Sequence, residues 1–123
     1  MPYTSTIDPA EKIVTVSIAG LWTEEDAASL DAELRNLLSR AGNAQLIIDL
    51  DAAVRFSGTE ARRRTAKLLQ DHAITHLAVC NARPAVRILV KILLKLVADA
   101  TAARFCATRA EAVAWLKEER QGK

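Results

Sequence analysis

A chain of 123 residues, half of them hydrophobic and about a quarter charged, is one domain long and can bury a core without disulfides or a structural metal. That composition excludes a disordered, collagenous or disulfide-scaffold chain. The net charge of +2 hides an asymmetry, because residues 1–61 hold 4 basic against 10 acidic side chains and residues 62–123 hold 13 against 5. In one compact domain such halves are expected to neutralise each other; the sharper alternative is a cationic face for an anionic ligand, membrane or acidic partner. Cys80 and Cys106 each fall inside a predicted strand, as small apolar core residues of a reducing compartment rather than a disulfide framework. The start MPYTSTIDPAEK has no apolar signal core, so a cytoplasmic protein is expected. The longest aliphatic segment is interrupted by Arg87, Lys91 and Lys95 and falls far short of the roughly 20 apolar residues of a membrane span.

In chain order, Tyr3 to Ile7 is a first strand, Asp8-Pro9-Ala10-Glu11 a turn, and Lys12 to Gly20 an alternating second strand, so a hairpin is predicted. Thr23-Glu24-Glu25-Asp26 caps a helix whose Ala27, Leu30, Leu34, Leu37, Leu38 and Ala41 form one apolar stripe, stopped by Gly42-Asn43. Leu46, Ile47, Ile48 and Leu50 are the apolar run of a strand buried on both faces, closing at Asp51. Ser57-Gly58-Thr59-Glu60 has the spacing of a capping box and predicts a helix from Thr59 to about His72 with Ser57 as its N-cap. A strand over His76 to Cys80 follows, then a helix from Pro84 to about Asp99, a strand over Ala103 to Ala107, and a last helix opened by a Thr108–Glu111 box. The order is that of a single-domain α/β fold, with a mixed, mainly parallel sheet of about five strands and about four helices.

The hairpin IVTVSIAG, the strand LIIDLD followed by FSGTEA, the strand HLAVC and the ending FCATRAEAVAWL together resemble the SpoIIAA-like fold, which includes the STAS domains, over nearly the whole chain. The resemblance implies a non-enzymatic regulatory or binding module. In anti-sigma-factor antagonists of that fold the loop after the central strand carries an aspartate and a phosphorylatable serine, as D-S-S-G or D-S-x-G. Here Arg55-Phe56-Ser57-Gly58 keeps the serine and glycine and lacks the aspartate, which makes Ser57 the candidate phosphosite by resemblance. The poorly characterised bacterial branch of the fold, to which this chain is more similar, implies small lipophilic ligands, membranes or self-association.

From the residues themselves, Ser57 is explained as a cap, so Ser57→Ala would cost about 1 kcal/mol through that role alone. Asp49 and Asp51 lack a third ligand, His72 and His76 fall on different elements, and no phosphate loop or nucleophile elbow is present. No metal, cofactor, catalytic residue or nucleic-acid partner is expected. The helix from Pro84 is the unusual element. Its aliphatic residues from Val86 to Val97 cover about 240° of the surface, whereas a helix lying on a sheet needs an apolar stripe little over 100° wide. Arg87, Lys91 and Lys95 share the rest. Ligand or interface residues are therefore expected at Arg83, Arg87, Ile88, Lys91, Ile92, Leu94 and Lys95. Three covers suit them: a second copy in a homodimer, a small lipophilic ligand with its acidic head near Arg83, Arg87 or Lys91, or an anionic membrane surface.

Overall fold

The computed structural model describes residues 3–51, 54–95 and 101–121. Strands β1 (Tyr3–Asp8) and β2 (Ile13–Ile18) form the expected antiparallel hairpin, in unbroken register from Tyr3↔Ile18 to Asp8↔Ile13. Parallel pairing then adds β4 (Gln45–Leu50), β6 (His76–Cys80) and β7 (Ala102–Cys106), giving one five-stranded sheet in the order β1-β2-β4-β6-β7. A second, two-stranded sheet pairs β3 (Leu21–Trp22) with β5 (Arg55–Phe56).

Four helices connect and cover the strands: α1 (Glu24–Ala41), α2 (Thr59–Asp71), α3 (Pro84–Leu94) and α4 (Arg109–Gln121). Helices α1, α2 and α3 share one core with the sheet, and α4 builds a smaller core on the opposite face with Ile13, Ile47, Ala78, Cys80 and Cys106. All six apolar stripe positions of α1 are buried. Its start is the predicted one, since the Thr23 hydroxyl accepts from the Asp26 amide while the Asp26 carboxylate accepts from the Thr23 amide. Its end is the predicted one as well, because Gly42 adopts a left-handed φ of 75° and its amide donates to Leu38 O.

Two expectations for helix starts change. The N-cap of α2 is Gly58, with no side-chain cap, because the amide of Ser57 donates to Trp22 O at 2.9 Å and so extends the β3–β5 pairing instead of opening the helix. At α4 the Thr108 hydroxyl does accept from the Glu111 amide (3.2 Å), but the Glu111 carboxylate takes the amide of Ala107 rather than that of Thr108. The expected continuation of α3 to Asp99 lies outside the described residues.

The second face is closed by a polar latch. Arg120 donates to Gln45 Oε1 (2.6 Å), Glu11 O (2.7 Å) and Lys12 O (2.8 Å), and buried Gln45 in turn donates to Leu116 O (3.1 Å). The end of α4 thereby holds the β1–β2 turn, with every partner of the buried amide satisfied.

Candidate functional site

Helix α3 lies over the β6–β7 end of the sheet. Among its described side chains Val86 and Val90 are buried and Leu94 is partly buried against the same core, so Leu94 belongs mainly to the interior rather than to the outer face expected for it. Ile88 and Ile92, one turn apart, are 61% and 49% exposed. No other large hydrophobic side chain reaches such exposure among the described residues; Leu21, on the β3 strand, comes nearest at 42%. Beside that ridge runs a second row at the same spacing, Arg87, Lys91 and Lys95, all exposed.

Arg87 is committed: its Nε donates to Ala82 O at 3.0 Å and its guanidinium lies 5.4 Å from the centre of the Phe105 ring. Arg83, Lys91 and Lys95 are exposed and form no ion pair with a described carboxylate. The expected mutual neutralisation of the two halves therefore stops short of α3. A pair between the halves does occur elsewhere, as Lys117 with Glu11 (3.2 Å). The outward side of α3 is thus an apolar ridge flanked by cations that no described carboxylate pairs.

Room for a guest under the helix is small. The cavity among Trp22, Ile48, Leu69, Val86 and Val90 has a volume of about 40 Å³, with Arg55 and Thr65 as the polar residues of an otherwise apolar lining. A drug-sized ligand needs roughly 300–1,000 Å³. Ser57, the other expected site, is exposed on the loop between β5 and α2, and its hydroxyl is not spent on the helix.

A model of the family described as SpoIIAA-like matches residues 13–117. The chain belongs to the SpoIIAA-like family. Among solved structures, the anti-sigma factor antagonist SpoIIAA in its unphosphorylated form is similar with a TM-score of 0.64 at 12% identity, over 94% of this chain and 97% of that one. An identity that low speaks for the fold alone. A comparison with curated proteins finds no match.

Within this SpoIIAA-like domain the remaining candidate residues are accounted for one by one. Asp49 is half-buried on β4 and accepts from Asn81 Nδ2 at 2.6 Å, where Asn81 turns the chain with a φ of 63°. Asp51 lies beyond the end of β4, so the two carboxylates do not share a strand. His72 ends α2 and His76 begins β6, each beside a different carboxylate, Asp31 and Glu119. Among the described residues no group of three or more His, Cys, Asp or Glu could hold a metal ion, and no helix is long and apolar enough to cross a membrane.

Cys80 and Cys106 face each other across β6 and β7 and are buried free thiols. Burial, with Cys106 alongside, pushes the Cys80 thiol up to about 12; burial, with Glu111 nearby, pushes Cys106 up as well. Both stay protonated at neutral pH and are poor nucleophiles. A raised folded-state value stabilises the fold below the unfolded thiol value of about 8.5 and is lost above it. Alkaline titration followed by circular dichroism is therefore expected to show stability falling as the pH rises from about 8.5 towards the Cys80 value of about 12. A Cys80→Ala, Cys106→Ala variant should flatten that limb.

The stacked pairs on either side of β7 were not legible beforehand. Arg87 over Phe105 lies on one face, and Arg104 over Trp115 at 6.0 Å on the other. Arg104 and Trp115 were separately visible as residues of a strand and an amphipathic helix, but nothing local links them.

Proposed function

We propose that this chain is a non-enzymatic binding module of regulatory type that works through the outward face of α3, and that a second copy covers that face in an isologous pair. The observation that carries this reading is the ridge of Ile88 and Ile92, 61% and 49% exposed on a helix whose opposite side already fills the core. A two-fold axis crossing the ridge sets each Ile88 against its counterpart's Ile92 and removes all four side chains from water. Arg87, turned towards Phe105, and the lysines that follow it stay at the rim, where charge is least costly. The small cavity does not favour an internal lipophilic guest.

Light scattering behind size exclusion tests the pairing. A particle of twice the 13.4 kDa chain mass is expected. A monodisperse particle of one chain mass at high micromolar concentration would sink it.

A second reading rests on Ser57. The residue is exposed and its hydroxyl has no capping role, one residue before the N-cap of α2 and the first-turn amides that follow it. A phosphate there would sit on those amides with Arg62 in the first turn, a favourable setting for two negative charges. It follows that Ser57→Ala is expected to shift the unfolding free energy by less than about 0.5 kcal/mol, as for a surface position, in place of the roughly 1 kcal/mol of a lost cap. Urea denaturation of the two proteins decides between these values, and incubation with a serine kinase acting in the same regulatory system, followed by intact mass, tests the phosphosite itself.

A further inference from the structure

We propose that the free edge of β7 accepts an extended, acidic segment of a partner protein as a sixth strand. This goes beyond the pairing through Ile88 and Ile92 and uses the other flank of α3. Strand β7 is the last of the sheet, with β6 on its inner side. The amide of Ala102 donates inward to Thr75 O (2.8 Å) and the carbonyl of Cys106 accepts inward from the Asn81 amide (3.3 Å). Backbone groups alternate in direction along a strand, so the N–H and C=O of Ala103 and Phe105 point outward. No described residue bonds them.

What flanks this open edge selects its occupant. On the α3 side Arg87 lies over Phe105, and Lys91 and Lys95 follow on the same side of the helix at steps of four. On the α4 side Arg104 lies over Trp115. The nearest first-turn acid of α4, Glu111, is engaged by the Ala107 amide. A second copy of β7 fits poorly, because the antiparallel register that uses every outward amide sets Arg104 directly against its counterpart, a destabilising like-charge pair. An acidic strand instead meets Arg87, Lys91 and Lys95 with its side chains on the α3 face and the Trp115 ring with those on the α4 face, a pattern of alternating acidic and apolar residues. The opposite edge, β1, offers no such attraction: it carries Asp8, and Glu33 is bonded to its Tyr3 and Ser5.

The probe is a capped ten-residue peptide of alternating glutamate and valine, read by residue-resolved amide exchange and by titration. Saturating peptide is expected to slow exchange at Ala103 and Phe105 by about tenfold or more. Charge reversal by Lys91→Glu with Lys95→Glu, both at exposed positions on the α3 side, is expected to weaken binding by about tenfold or more. Methylating the peptide nitrogens that face β7 should abolish binding, and methylating the alternate set should not. The dimer-breaking pair Ile88→Asp, Ile92→Asp should bind the peptide as the native chain does, which separates this edge from the dimer face. Equal binding of both methylated peptides would reduce the effect to charge attraction and overturn the proposal. Protection of Ala103 and Phe105 by raising chain concentration without peptide would overturn it in favour of a second copy.

Discussion

Trp22→Ala is expected to lower the free energy of unfolding by about 3–5 kcal/mol, a large part of the roughly 5–15 kcal/mol available to a domain. Trp22 is the largest fully buried side chain, 1% exposed, and sits where β3 leads into α1. Its ring meets Tyr3 edge-on, with centroids 5.5 Å apart at 72°, and its indole N–H donates to the Thr65 hydroxyl of α2 at 2.9 Å. One residue therefore ties the first strand, the small β3–β5 sheet and the second helix together. Truncation leaves a cavity next to the existing apolar one under α2 and α3, which the surrounding aliphatic side chains cannot collapse to fill. Trp22→Phe separates packing from hydrogen bonding. It keeps most of the ring volume and loses the donor, yet Thr65 still donates to Ala61 O at 2.8 Å, so about 1–2 kcal/mol is expected. Chemical denaturation of both variants reads the two values. Equal losses would mean that the indole N–H, and not the ring, holds these elements.

The double change Ile88→Asp, Ile92→Asp is expected to abolish pairing at micromolar concentration and to leave the fold intact. Full burial of an isoleucine is worth about 1.5–3 kcal/mol, and these two are about half exposed in the single chain. Four such half-burials in a symmetric pair come to about 4 kcal/mol, or roughly a thousandfold in the dissociation constant before the cost of burying the new carboxylates is added. Within the monomer the other half of each side chain is already buried, so each change is expected to lower stability by about 1 kcal/mol, too little to unfold the chain. Sedimentation velocity and thermal unfolding of the variant check the two halves of this statement. A variant that still pairs would place the interface elsewhere.

Most of the architecture is written in local patterns. The hairpin follows from period-two alternation, α1 from its stripe and Thr23 box, and its stop from Gly42 in a left-handed turn. Strands β4 and β6 are short apolar runs, and from β4 onwards strands alternate with helices, a pattern with few alternative foldings. What escaped depends on contacts distant in sequence. Two-residue strands such as β3 and β5 carry no period, and only their pairing with each other reveals that the Ser57 amide donates to Trp22 O, which leaves Gly58 as the N-cap of α2. The Arg120 latch onto the β1–β2 turn joins residues more than a hundred apart.

The candidate site was half legible for the same reason. Periodicity shows that α3 has more apolar surface than a sheet can cover, but only the packed sheet decides which side is surplus. Val86 and Val90 turn inward, Leu94 is shared with the core, and Ile88 and Ile92 remain. Likewise the charge asymmetry is visible in composition, whereas its meaning appears only when Arg83, Lys91 and Lys95 are found without a described carboxylate beside them.

The working surface is tested most directly by sedimentation equilibrium of the unmodified chain from low to high salt. Two copies joined through α3 bring their cationic rims near each other, so the apolar contact is expected to tighten as salt screens that repulsion. An anionic lipid surface or an acidic partner would respond with the opposite sign. A dimer whose affinity holds or rises with salt is the expected result; a chain that stays at 13.4 kDa throughout would contradict the account.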